Sequence, residues 1–65
     1  MGLFDFFKSK KDVFTDNGTN YMYYNNGKLK EKFIKVDGVL NGEYIKYDES
    51  GKFTTTIYHD GRIVS

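Results

Sequence analysis

The sequence predicts a mainly β protein: an antiparallel meander of four to five short strands behind a short N-terminal amphipathic helix. Three observations carry that expectation. Glycine follows Asn, Asp or Ser at residues 17–18, 26–27, 37–38, 50–51 and 60–61, and Asn-Gly and Asp-Gly are the pairs that accept positive φ in tight hairpin turns. The segments between them are short and rich in aromatic and β-branched residues, which suit a half-buried pleated surface. Only the first fourteen residues show the period of a helix.

That leader, MGLFDFFKSKKDVF (1–14), is read as a unit separate from the β meander of residues 15–65. On a helix, Leu3, Phe4, Phe6, Phe7, Val13 and Phe14 fall within about half the circumference, with Asp5, Lys8, Ser9 and Asp12 opposite. Asp5 near the start and Lys8, Lys10 and Lys11 near the end match the helix dipole, so the helix is placed over about residues 2–11. Such a stripe could cover one face of the sheet, dock on another protein or lie on a membrane surface. Gly2 does not begin a myristoylation motif, because Phe6 stands where Ser or Thr is needed.

The strand segments follow in order: TNYMYY (19–24), KLKEKFIKV (28–36), VLNGEYIKY (39–47), KFTTTIY (52–58) and RIVS (62–65). In the second, regular alternation would put Leu29 and Phe33 on one face and Ile34 and Val36 on the other. This slip predicts a bulge near Lys32–Ile34 or burial on both faces. Asn41-Gly42 interrupts the third, where a bulge or a close backbone approach would use glycine. Tyr24, Leu29, Phe33, Tyr44, Tyr47, Phe53 and Ile57 are the expected core or stacking residues.

A chain of 65 residues is one domain and buries only about 60% of its unfolded surface. It has no cysteine and one histidine, so neither disulfides nor a metal would reinforce so small a core, and a homo-oligomer or a chain completed by a partner is expected. The net charge is +1, with seven lysines against four acids in residues 1–35 and three basic residues against five acids in 36–65. No stretch has the length of a membrane span or of a secretory signal core, so the protein is expected in the cytoplasm. The chain lacks Ala, Gln, Pro and Trp and is rich in Lys, Asn, Tyr, Phe and Ile, the bias of AT-rich coding DNA in a low-GC bacterium or its phage.

Laid on itself at 23–24 residues, YYNNGKLKEKFIKVDGVL (23–40) matches KYDESGKFTTTIYHDGRI (46–63). Tyr24 pairs with Tyr47, Leu29 with Phe53, Phe33 with Ile57 and Asp37-Gly38 with Asp60-Gly61. Such a period is that of a repeat whose hairpin unit cannot bury its apolar face alone. DGVLNGEYIKYDESGK resembles the MORN repeat, and YYNNGKLK alternating with VDGVLNGEYIKY is especially similar to the bacterial MORN-variant proteins, many of them associated with toxin–antitoxin systems. The resemblance covers about residues 20–64, roughly two units, with Gly42, Glu43 and Tyr44 on the family's Gly-Glu-Tyr core and Gly27 and Gly51 at its turns. It implies a β-ribbon that packs aromatic rings along one face and works as a scaffold or binding surface, with no reaction.

The residues themselves offer little chemistry. His59 has no cysteine and no metal-loop acids beside it, and Ser9, Ser50 and Ser65 sit at loop or terminal positions, so neither a metal site nor a nucleophile triad is expected. Pairs such as Glu43 with Asp48 have too little chain around them for a pocket. The expected protein is non-catalytic, without cofactor, and acts by stoichiometric binding as an antitoxin-like, immunity-like or inhibitor-like module, including the counter-defence kind a phage would carry. Candidate contacts are Leu3, Phe4, Phe6 and Phe7 of the leader, Tyr21 and Tyr23, and Lys28, Lys30 and Lys32. The lysines read as alternating on one strand face beside the tyrosines, the pattern of single-strand nucleic-acid or anionic-ligand binders. Near-zero net charge places nucleic acid behind protein as a partner.

Overall fold

The computed structural model describes residues 11–65. The helix expected over residues 2–11 therefore lies outside the described residues except for Lys11, as do Leu3, Phe4, Phe6 and Phe7. The described chain forms one five-stranded antiparallel sheet in sequence order: β1 (Gly18–Tyr23), β2 (Leu29–Val36), β3 (Val39–Tyr47), β4 (Phe53–His59) and β5 (Arg62–Ile63). It extends 45 × 26 × 10 Å, the thickness of a single sheet.

The Asp-Gly pairs make the turns expected of them. Asp37 and Gly38 have φ of 52° and 79°, and Asp60 and Gly61 have 50° and 83°. Both pairs are two-residue connections between paired positions, Val36 with Val39 and His59 with Arg62, where successive positive φ values match the twist of the strands.

The repeat is visible in hydrogen bonds and begins earlier than Tyr23. Tyr24 N–H donates to Lys28 O and Gly27 N–H to Tyr24 O; 24 residues later Asp48 N–H donates to Lys52 O and Gly51 N–H to Asp48 O. Gly38 N–H donates to Asp16 O, and Gly61 N–H to Leu40 O. Asn17 Oδ1 accepts from Asp37 N–H at 2.9 Å, while Asn41 Nδ2 donates to Asp60 Oδ1 at 3.3 Å. Asn17-Gly18 is thus the counterpart of Asn41-Gly42, β1 of β3, and β2 of β4. Each unit is two strands, with an Asn side chain tied to the closing Asp-Gly turn.

Two register shifts explain the broken alternation in β2. Tyr21 pairs with Lys32, yet Tyr23 pairs with Leu29, so an extra residue, Lys30, bulges from β2. Directly paired residues share a face, and Tyr21 and Tyr23 are on one face with ring centroids 6.4 Å apart. Leu29 consequently joins Lys32, Ile34 and Val36, and the expectation that Leu29 and Phe33 share a face is corrected by the bulge. The second shift, between Phe33 and Lys35, lies where β3 carries Asn41-Gly42. Gly42 has φ of 108°, and a Cβ there would stand 3.3 Å from Ile34 Cδ1, so both the conformation and the close approach call for glycine.

The sheet's faces differ. Ile34, Ile45 and Ile57 lie on one with Tyr21 and Leu29. The other carries Phe33, Tyr44 and Tyr58 in a row, the first two rings stacked at 4.8 Å and the last two tilted at 5.8 Å between centroids. Lys35 Nζ lies 6.0 Å from the Phe33 ring and Lys46 Nζ 5.9 Å from that of Tyr44, so lysine side chains extend over these rings. Among the described residues only Phe33 and Asn20 are buried. Of the other expected core residues, Phe53 is 62% exposed and the rest are half-buried.

Candidate functional site

The two outer edges of the sheet are treated differently by the chain. An inner strand has both neighbours, whereas an edge strand turns every second N–H and C=O outward. On β1 those of Tyr21 and the N–H of Tyr23 are occupied. Val13 and Tyr21 exchange N–H···O bonds of 2.8 and 2.9 Å, and Tyr23 N–H donates to Asp12 Oδ1 at 2.9 Å. Thr15, Asp16 and Asn17 then cross to the Asp37-Gly38 turn and cover Asn20, which is fully buried. Asn20 Oδ1 accepts from Thr15 N–H at 2.8 Å and its Nδ2 donates to Gly18 O at 3.2 Å.

On β4 the cover stops halfway. Ile57 N–H donates to Ser65 O and Val64 N–H to Ile57 O, and β5 pairs with Tyr58 and His59. By the alternation that turns Ile57 outward, Thr55 and Phe53 also direct their backbone groups away from β3. Among the described residues nothing pairs with them there. No charge and no proline stands between Phe53 and Tyr58, so the devices that usually guard an edge are absent from it.

At the base of that edge lies a shallow groove of about 410 Å³ lined by Tyr24, Lys46, Tyr47, Asp48, Lys52, Phe53 and Thr54. The Tyr24 hydroxyl donates to Tyr47 O at 2.7 Å, which ties the first unit's turn to the second's. Lys30 Nζ stands 5.7 Å from the Tyr24 ring. Asp48 Oδ1 accepts from the Ser50 hydroxyl at 2.6 Å and from the Ser50 and Lys52 N–H groups at 2.9 and 3.0 Å. Those bonds, the Ser50 hydroxyl foremost, hold its carboxyl below the ordinary aspartate value.

The residues expected to make contacts are not gathered at one place. Lys32 shares the Tyr21 and Ile45 side of the sheet. Lys30 sits at the bulge against Tyr24, and Lys28 Nζ approaches Glu49 O at 3.4 Å. The single-face lysine track is therefore corrected: the bulge in β2 divides it. Within the Gly-Glu-Tyr stretch, Gly42 packs on Ile34, Glu43 pairs with Ile57 and is exposed, and Tyr44 donates its hydroxyl to Glu31 Oε1. Gly27 and Gly51 occupy equivalent turns. His59 ends β4 in solvent, its Nε2 3.5 Å from Asp60 Oδ2. Thr55 and Lys52 were not legible as site residues. Their role depends on which strand ends the sheet, and the even spacing of the turns carries no signal of that.

Tyr44 is pushed up to about 12, first by burial and then by its hydrogen bond to Glu31 and that group's charge. A pKa raised above the unfolded value of about 10 favours the protonated form in the fold. Its stabilising contribution is complete below pH 10 and is lost as pH rises towards 12. Absorbance titration should show a tyrosine step near pH 12, and Tyr44→Phe should remove that step and flatten the alkaline loss of stability relative to the parent.

Compared with protein-family models, curated proteins and solved structures, the chain matches none. Among the described residues no helix is long and apolar enough to cross a membrane, and no cluster of metal-ligating side chains occurs.

Proposed function

We propose that this chain is a non-catalytic, stoichiometric protein-binding module, antitoxin-like, immunity-like or inhibitor-like, which takes an extended segment of its partner onto the outer edge of β4. The observation that carries this reading is the asymmetry of the edges: β1 is bonded outward at Tyr21 and Tyr23 and flanked by residues 12–17, while Phe53 and Thr55 present backbone groups that are unpaired among the described residues, on a strand without charges. Strand addition draws affinity from main-chain bonds and specificity from side chains alternating above and below. Here Phe53 and Thr55 would flank the incoming strand on one side, with Lys52 and Thr54 on the other. The two-unit repeat and the likeness of VLNGEYIKY to a MORN strand support a scaffold role of the same kind.

The test uses a substitution that reaches only the edge. Thr55 has its N–H directed outward, so Thr55→Pro removes an edge donor and places a ring there without breaking a bond to β3. Stability should change by no more than about 1 kcal/mol. A protein captured from lysate of the source cells at one-to-one stoichiometry by the parent should bind the variant at least about tenfold more weakly, the scale of one or two lost hydrogen bonds with a steric block. Undiminished binding by Thr55→Pro would place the contact elsewhere.

A further inference from the structure

We propose that the segment taken up at the outer edge of β4 is an antiparallel strand whose sequence runs aromatic, β-branched aliphatic, acidic, set opposite Thr56, Thr55 and Thr54 in that order. This rests on the strand addition proposed above and names the chemistry of what is added. In the first unit Tyr23, Met22, Tyr21 and Asn20 face Leu29, Glu31, Lys32 and Phe33. In the second Tyr47, Lys46, Ile45 and Tyr44 face Phe53, Thr54, Thr55 and Thr56. Apart from the bulged Lys30, β4 therefore repeats β2 position for position, with Thr56 standing for Phe33, Thr55 for Lys32 and Thr54 for Glu31. On its far side β2 has a strand: Phe33, Lys32 and Glu31 pair with Tyr44, Ile45 and Lys46. The far side of β4 is bonded only as far as Ile57, which meets Val64 and Ser65. Among the described residues Thr56, Thr55 and Thr54 face no strand there. Exposure follows: Leu29, Glu31 and Lys32 are half-buried, whereas Phe53, Thr54 and Thr55 are exposed.

The chemistry of each position follows from its neighbours, since paired residues share a face and residues two along the partner strand are diagonal neighbours. A residue opposite Thr56 lies on the ring-bearing face, diagonal to Tyr58, which already meets Tyr44 at 5.8 Å. An aromatic side chain there continues the row as Tyr44 does beyond Phe33. A residue opposite Thr55 lies on the isoleucine face between Phe53 and Ile57, an apolar setting that suits the kind of side chain Ile45 supplies in the first unit. Opposite Thr54 the copy has to differ. In the first unit Lys46 stands opposite Glu31, an opposite-charge pair, but Thr54 carries no charge and its same-face neighbours are Lys46 and Lys52. Both lysines line the groove, where the Asp48 carboxylate is engaged by the Ser50 hydroxyl and the Lys52 N–H. Among the described residues neither ammonium has an ion-pair partner. A carboxylate at this position meets two cations, and a lysine would meet like charge.

The experiment titrates three capped peptides into the isotope-labelled full 65-residue chain, followed by nuclear magnetic resonance of its amides. EYIEYD is residues 43–48 carrying Lys46→Glu, EYIKYD is the unaltered segment, and EIYEYD exchanges ring and aliphatic so that each falls on the other face. EYIEYD should shift the amides of Phe53 and Thr55 before any others and slow their exchange. EYIKYD and EIYEYD should each bind about threefold or more weakly, the scale of one cross-strand pair, and the lead of EYIEYD over EYIKYD should narrow at high salt. Equal affinity for the three, a preference for either control, or no response at Phe53 and Thr55 would overturn the proposal. Weakened capture of the cellular partner by Thr55→Pro together with indifferent peptides would mean that the edge is the binding site and the pattern is wrong. Undiminished capture by that variant would remove the site itself.

Discussion

Replacing Phe33 with alanine is expected to cost about 3–5 kcal/mol, the range for a buried Phe truncated to Ala, and to leave the sheet close to its stability limit at room temperature. Phe33 is 6% exposed. It pairs with Asn20 on one side and Tyr44 on the other and stacks on the Tyr44 ring at 4.8 Å. A chain of this size has a total stability of roughly 3–10 kcal/mol, so a loss of that order removes much of it. Phe53→Ala is the control: at 62% exposure it should cost less than about 1 kcal/mol. Urea unfolding of both, followed by circular dichroism, measures the contrast. Equal costs would show that Phe33 is not the centre of the core.

The second large effect is expected at Asn20. Asn20→Leu keeps the approximate volume but removes an acceptor and a donor from a fully buried position. It leaves Thr15 N–H and Gly18 O without the bonds they make now. An unsatisfied buried group costs about 1–3 kcal/mol; Thr15 and Gly18 are exposed residues whose groups water can partly serve, so a loss of about 1–2 kcal/mol is expected from the two together. The change should also be local before it is global. The amides of Thr15, of Asp37, which bonds Asn17 Oδ1, and of Gly38, which bonds Asp16 O, should exchange much faster, while those of β3 and β4 change least. Uniform acceleration across all strands would show that Asn20 supports the whole sheet rather than the segment covering β1.

Much of this architecture is legible in the sequence because turn chemistry is local. Asp37-Gly38 and Asp60-Gly61 specify tight turns irrespective of what surrounds them, and the strands between follow from aromatic and β-branched composition. The interruption at Asn41-Gly42 is legible for the same reason, since glycine within a strand marks a bulge or a close approach. The bulge at Lys30 is not. It is a property of the pairing between Tyr21–Tyr23 and Leu29–Lys32, and β2 alone shows only that its alternation fails. Asn20 is harder still: it occupies the position of Tyr44 in the other unit, and nothing local distinguishes it from an exposed strand asparagine. Its burial comes from Thr15–Asn17 folding over it, which the matched Asn17-Gly18 and Asn41-Gly42 pairs hint at but do not specify. The open edge of β4 depends on the order of the whole sheet and is beyond any local reading.

The division between a guarded and an open edge is measured most directly by amide exchange at Thr55, in the free chain and with the captured partner bound. In the free protein Thr55 and Phe53 should exchange rapidly while Thr54, Thr56 and Tyr21 are protected, and partner binding should slow Thr55 and Phe53 selectively. If Thr55 is already protected in the dilute free chain, or stays fast in the complex, the outer edge of β4 is not the binding surface.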